Sequence, residues 1–248
     1  MAPAAEGAKH LNYQRGSTFT FENVTVENGT DTYDGIVCDE LIYKNCTIKG
    51  VTTLYGKATF INCTFENTMA DQYSIWTWGG TDVKFEGCTF NTNGKAILLF
   101  GEEKTTNLTV TGCRFNDRNN GTAGKAAIEI GEANYGKHNN FTVVISDSEV
   151  VTGFADGKNT GSKIWANKNS MDAEHLTVII DNKYVLGTET PKQTVTVATA
   201  KELKEKLTTV TQRGKGGSAL ALNRPEFYLD RSQTFEKNRV YVCSADHL

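Results

Sequence analysis

Two tryptophans, Trp76 and Trp78, lie two residues apart in the stretch SIWTWGG. On an extended backbone such residues share a face, so they would present two indole planes side by side. Flat aromatic surfaces of this kind stack on sugar rings or seat an apolar ridge of a partner. Other chemistry is thinly represented. The four histidines, His10, His138, His175 and His247, are scattered, mostly in loop-like stretches, and form no nucleophile–base set. Glycoside hydrolysis uses paired carboxylates. A lyase would use a Ca2+-binding acidic cluster with an Arg or Lys base. No compact Asp pair falls on an exposed strand, and Glu129 stands alone among apolar neighbours. Glu102, Glu103 and Glu132 follow strands at two GE corners and read as a solvated acidic rim, with a weak Ca2+ site as the alternative. The stretch RGKGG at 213–217 lacks the spacing of a phosphate loop and reads as a flexible turn.

What would position the tryptophans is a repeat. Lines with one pattern run FTFENVTV (19–26), LIYKNCTI (41–48), ATFINCTF (58–65), VKFEGCTF (83–90), LTVTGCRF (108–115), VVISDSEV (143–150) and VIIDNKYV (178–185). Apolar residues alternate on both sides of one Asn, Gly or Asp. Alternation of period two means strands. The Asn, Gly or Asp between them tolerates a left-handed backbone and so marks a very tight bend. The residue after the bend is Val24, Cys46, Cys63, Cys88, Cys113, Ser148 and Lys183 in turn. A second column lies between these units and aligns on Ile36, Leu54, Ile75, Ile97, Ile128 and Ile164. Each repeat therefore carries three short strands, and repeats differ by loop insertions. Stacked turn on turn, this is an all-β, right-handed parallel β-helix.

The cysteines then read as packing. A straight column over four coils cannot converge on one zinc ion. In-register neighbours sit near the strand spacing of about 4.8 Å, wider than the Cβ separation a disulfide closes. Free, buried thiols are expected, with Cys38 also in the core and Cys243 outside the repeat. Asn23, Asn45, Asn62, Asn107, Asn120 and Asn140 all head N-x-S/T sequons, but three of these belong to the bend column, which accounts for them without glycosylation.

With its FxNCTF and KAAIEI phrases, the chain resembles the right-handed β-helix repeat proteins of the pectate-lyase-like superfold. In particular it is similar to extracellular β-helix domains of gut Firmicutes surface proteins. The resemblance covers about 19–186. It implies that any substrate would lie along the sheet of the isoleucine column. If the aligned isoleucines point in, their neighbours point out, which nominates Tyr55, Trp76, Trp78, Leu98, Phe100, Glu129 and Trp165 as a ligand-binding face. The alternative is that the insertions at 116–125 and 151–163, or a partner protein, cover that face.

The net charge of −3 provides no basic footprint for nucleic acid. No apolar run is long enough to span a membrane. The opening MAPAAEG fits an initiator Met placed before a processed secreted chain. Residues 1–18 read as a cap or leader, 19–186 as the β-helix and 187–198 as a linker. Within 199–248, Thr199 and Glu202 stand in capping-box spacing ahead of Leu203, Leu207 and Val210, an amphipathic helix. The incomplete first coil of a second β-helix, or a C-terminal cap, follows. The expected function is a non-catalytic module of a secreted or cell-surface protein, binding a glycan or a host protein without cofactor or metal. A polysaccharide-degrading lyase or hydrolase and a purely structural stalk are the alternatives.

Overall fold

The computed structural model describes residues 10–28, 35–69, 71–77, 81–100, 105–131, 140–189, 194–197 and 226–229. Trp78, Glu102, Glu103, Glu132, Cys243, the expected helix at 199–210 and the turn at 213–217 lie outside them. The chain forms two compact units, Met1–Thr188 and Glu189–Leu248. No helix occurs among the described residues.

The first unit is built from three sheets. The first contains β1 (His10–Glu22), β3 (Gly35–Lys44), β6 (Lys57–Ile61), β9 (Asp82–Glu86), β12 (Thr106–Thr111), β15 (Phe141–Ser146) and β18 (Leu176–Ile180), and ends with β19 (Lys183–Leu186). The second contains β2 (Thr25–Glu27), β4 (Thr47–Lys49), β7 (Thr64–Glu66), β10 (Thr89–Thr92), β13 (Arg114–Asp117) and β16 (Glu149–Thr152). The third contains β5 (Thr52–Leu54), β8 (Ile75–Thr77), β11 (Ile97–Leu99), β14 (Ile128–Ile130) and β17 (Trp165–Asn167). All pairings are parallel except β18 with β19. In the second unit, β20 (Thr194–Val197) pairs in parallel with β21 (Glu226–Leu229).

The bend from first to second sheet turns on a left-handed residue in every coil. Asn23, Asn45, Asn62, Gly87, Gly112 and Asp147 have φ of 56°, 52°, 51°, 62°, 63° and 50°. The ladder runs through the corner, because Thr64 N donates to Cys46 O, Thr89 N to Cys63 O and Arg114 N to Cys88 O. Of the expected amide ladder, Asn45 Nδ2 donates to Asn23 Oδ1 at 3.3 Å.

Just past each bend, Cys46, Cys63, Cys88 and Cys113 are buried and, like Cys38, free. Each thiol donates to the carbonyl two residues before it: Cys46 to Lys44 O at 3.2 Å, Cys63 to Ile61 O at 3.4 Å, Cys88 to Glu86 O at 3.5 Å and Cys113 to Thr111 O at 3.4 Å. Ser148 Oγ makes the same bond to Ser146 O at 2.9 Å. The column thus selects a small side chain that fits the corner and carries a donor. Among aliphatic side chains such as Ile48, Val83, Ile97 and Val110, aromatic residues form two stacks in the core. Phe21, Tyr43, Phe60 and Phe85 succeed one another with centroids 4.8–4.9 Å apart. Phe65, Phe90 and Phe115 do so at 4.4 and 4.8 Å. These separations match the strand repeat, and each such pair adds about 1 kcal/mol beyond its burial.

The structure corrects the expected register in three places. The line 178–185 is a hairpin, not a seventh bend: Asp181 and Asn182 both have positive φ, and β19 returns antiparallel onto β18. Two left-handed residues make the tight turn whose twist matches such a pair. Gly35–Cys38 belongs to β3 of the first sheet, so Ile36 is not a third-sheet residue. Within the third sheet, Leu54 faces Thr77 and not Ile75, while Trp165 faces Ile128 and packs in the core.

Candidate ligand-binding face

The outward positions of the third sheet are, coil by coil, Thr53, Trp76, Leu98, Glu129 and Ala166. Each central residue is flanked by inward neighbours such as Ile75 and Thr77 or Ile97 and Leu99, which are buried in the core. Thr77 completes its own ladder: its Oγ1 donates to Phe100 O at 2.9 Å and accepts from Phe100 N at 2.8 Å.

Five of the seven nominated residues meet on or beside this face. Trp76, Leu98 and Phe100 join Tyr73 in a small apolar cluster separate from the main core. Glu129 shares their column, and Tyr55 follows β5 one residue past its end, half-buried. Trp165 does not belong there; Ala166 holds the outward position of that coil because one residue of slippage exchanges the faces. Trp78 lies outside the described residues. The expected bare aromatic strip is not what the column shows. Thr53 and Leu98 are each 1% exposed, Ala166 4% and Glu129 5%, while Trp76 is half-buried.

Tyr73, which the repeat pattern did not nominate, does much of the covering. Its ring stands perpendicular to Trp76, at 89° with centroids 5.6 Å apart, and Phe100 flanks the indole at 6.3 Å and 52°. The Tyr73 hydroxyl donates to Glu129 Oε2 at 2.8 Å. Lys125 Nζ lies 3.5 Å from the same oxygen. A buried carboxylate is costly unless it is paired and hydrogen-bonded, and Glu129 has both partners. Lys95 Nζ sits 5.7 Å from the Tyr73 ring centroid and donates to Asp71 O at 2.8 Å. Burial pulls the Lys95 ammonium below its ordinary range, and the Asp71 charge opposes that shift.

At the far end the insertion 151–163 lies across the sheet. A Cβ on Gly157 would stand 2.9 Å from Ala166 Cβ, so only glycine lets the loop approach so closely. Thr160 Oγ1 donates to Trp165 O at 2.6 Å and Asn159 Nδ2 to Asn167 O at 2.7 Å, occupying carbonyls of β17. The insertion 116–125 is tied to Asp117, whose carboxylate accepts from Asn119 N at 2.8 Å and Gly121 N at 2.5 Å.

Three polar atoms in the stretch 72–76 remain unused. Gln72 Oε1, Ser74 Oγ and Trp76 Nε1 are sealed from solvent without a hydrogen-bond partner among the described residues. Ser74 is itself 1% exposed. Buried polar groups are ordinarily satisfied, so orphans gathered in five residues mark unspent hydrogen-bonding capacity. Elsewhere, Asp172, Glu174 and His175 bring one ligand atom each within 4.8 Å of one another. The sequence signal for that group is a short D-x-E-H run. Its carboxylates are exposed, and Glu174 N donates to Asp172 Oδ1 within the turn at 3.2 Å.

A family model described as a right-handed beta helix region matches residues 7–178. No curated protein and no solved structure matches the chain.

Proposed function

Because the chain belongs to the right-handed β-helix family, whose fold hosts many functions, we propose from its site that it is a non-catalytic binding module of a secreted or cell-surface protein, and that it takes a saccharide at Trp76. The observation that carries this reading is a half-buried indole in a five-residue stretch that holds three unpartnered polar atoms: an acceptor on Gln72, a hydroxyl on Ser74 and a donor on Trp76. A sugar ring offers both an apolar face for the indole and hydroxyls that donate and accept. The three atoms are sealed in this state, so ligand hydroxyls meet them after a rotamer change of Gln72 or Trp76, of the kind common at binding surfaces. The non-catalytic reading is supported by the column itself. It holds one carboxylate, Glu129, whose oxygen is engaged by Tyr73 and Lys125, whereas glycoside hydrolysis uses a facing pair. Secretion or surface display rests on the resemblance of the FxNCTF and KAAIEI phrases to extracellular domains.

The test is a glycan array followed by calorimetry. Trp76→Ala is expected to abolish binding while lowering stability by about 1–2 kcal/mol, the loss typical of a half-buried side chain. Binding that survives the substitution would remove Trp76, and this reading, from consideration.

A further inference from the structure

Resting on that reading, we infer that the site takes the terminal residue of a saccharide chain and does not accommodate a polymer laid along the helix axis. An extended chain running along the third sheet would need contact with outward positions on successive coils. Those positions are closed on both sides of Trp76: Thr53 in the coil before it is buried, and so are Leu98, Glu129 and Ala166 in the three coils after it. Trp76 is the member of the column left half-buried.

The local geometry is a corner. Tyr73 stands at 89° to the indole, and with its hydroxyl on Glu129 two coils further on it walls off the outward positions beyond Trp76 that a polymer would need. Three features hold the wall upright. Its hydroxyl is anchored two coils further on by Glu129, that carboxylate is paired with Lys125, and the Lys95 ammonium rests over the ring. A ring stacked on Trp76 therefore ends against Tyr73. The orphan atoms of Gln72 and Ser74 flank Tyr73 in sequence and Trp76 carries the third, so polar recognition is concentrated at this one position. A saccharide terminus carries a hydroxyl where an internal residue carries a glycosidic bond, so a walled corner with unspent donors and acceptors favours the terminus.

The experiment uses the full chain and titrates it with gluco-, xylo-, manno-, galacto- and galacturono-oligosaccharides from one to six residues. Each is supplied free and with its non-reducing terminal hydroxyl methylated. The expected result is that one series binds with Trp76-dependent affinity that changes less than about threefold beyond the disaccharide and falls at least tenfold on terminal methylation. In Tyr73→Ala the wall is gone, and affinity should instead rise with chain length. Tyr73→Phe, which keeps the ring and loses the anchor to Glu129, controls for folding and should give an intermediate length dependence. Wild-type affinity that is Trp76-dependent yet climbs tenfold or more from disaccharide to hexasaccharide, or that ignores methylation, overturns the terminal-residue inference and leaves the binding reading standing. Absence of binding by every series overturns both.

Discussion

Each cysteine of the bend column has the carbonyl two residues back within reach of its thiol, and Cys46, Cys88 and Cys113 also have a carbonyl of the preceding coil in reach, while Ser148 makes the local bond at a shorter distance. The corner thus asks for a small donor, and sulfur chemistry is incidental. The neighbouring thiols of Cys113 and Cys63, and then burial, push the Cys88 thiol up, so it stays a protonated donor at any physiological pH. Cys88→Ser is expected to cost about 1 kcal/mol, because serine keeps the bond and loses some apolar fill. Cys88→Asp places an unpaired charge against the Phe60 and Glu86 carbonyls in the core and should cost about 3 kcal/mol or more. The neighbouring Thr89→Asp, on the outward side of the same strand, should be close to neutral. Urea melts of the three variants decide the matter; equal losses for positions 88 and 89 would show the inward column to be misassigned.

The corner as an element depends on the left-handed residue. Gly112 has open space, its virtual Cβ meeting nothing nearer than Gly87 N at 3.9 Å, whereas a Cβ on Gly87 would fall 2.6 Å from Asn62 Oδ1. Gly112→Ala should therefore cost the left-handed strain alone, about 1–2 kcal/mol, and Gly112→Asn less. Gly87→Ala adds displacement of the Asn62 side chain, so the double variant Gly87→Ala with Asn62→Ala should cost less than the sum of the singles. Additive losses in thermal melts would contradict the packing of one corner on the next. These corners are legible in the sequence because a bend residue recurs in every coil and a small donor follows it in all but the first, where Val24 stands. The third sheet is less so. Its strands are three residues long and have no corner marker, so TTLYG and KIWAN each offer two apolar choices to align. An alignment on Ile164 turns Trp165 outward, whereas the strand buries it opposite Ile128. The cover over the face was not legible at all, since Tyr73 reaches Glu129 across 56 residues and no local pattern encodes that contact.

Within the first unit each coil pairs its strands with those of the adjacent coils, and contacts such as Tyr73 with Glu129 and Arg118 with Glu66 reach one coil further, so stability accumulates from coil to coil. Amide exchange should be slowest in β9, β12 and the bends beside Cys88 and Cys113, and faster toward β1 and β19; uniform protection from end to end would argue against a nearest-neighbour stack. Among the described residues, the large apolar side chains left exposed are Val24 in the first turn and Val151, Tyr184 and Val185 in the last. That is where a stack interrupted at both ends would stick to others. Here the hairpin matters beyond closing the count of coils. A sheet whose final strand ran parallel would present the same template that every earlier strand presented to its successor, and a second molecule's first strand would suit it. Because β19 runs backward, the next strand in line meets the opposite polarity, and β17's carbonyls at Trp165 and Asn167 are already taken by Thr160 and Asn159. The fold thus carries its own interruption of the repeat: the parallel template that each earlier strand of the first sheet offers its successor stops at β19.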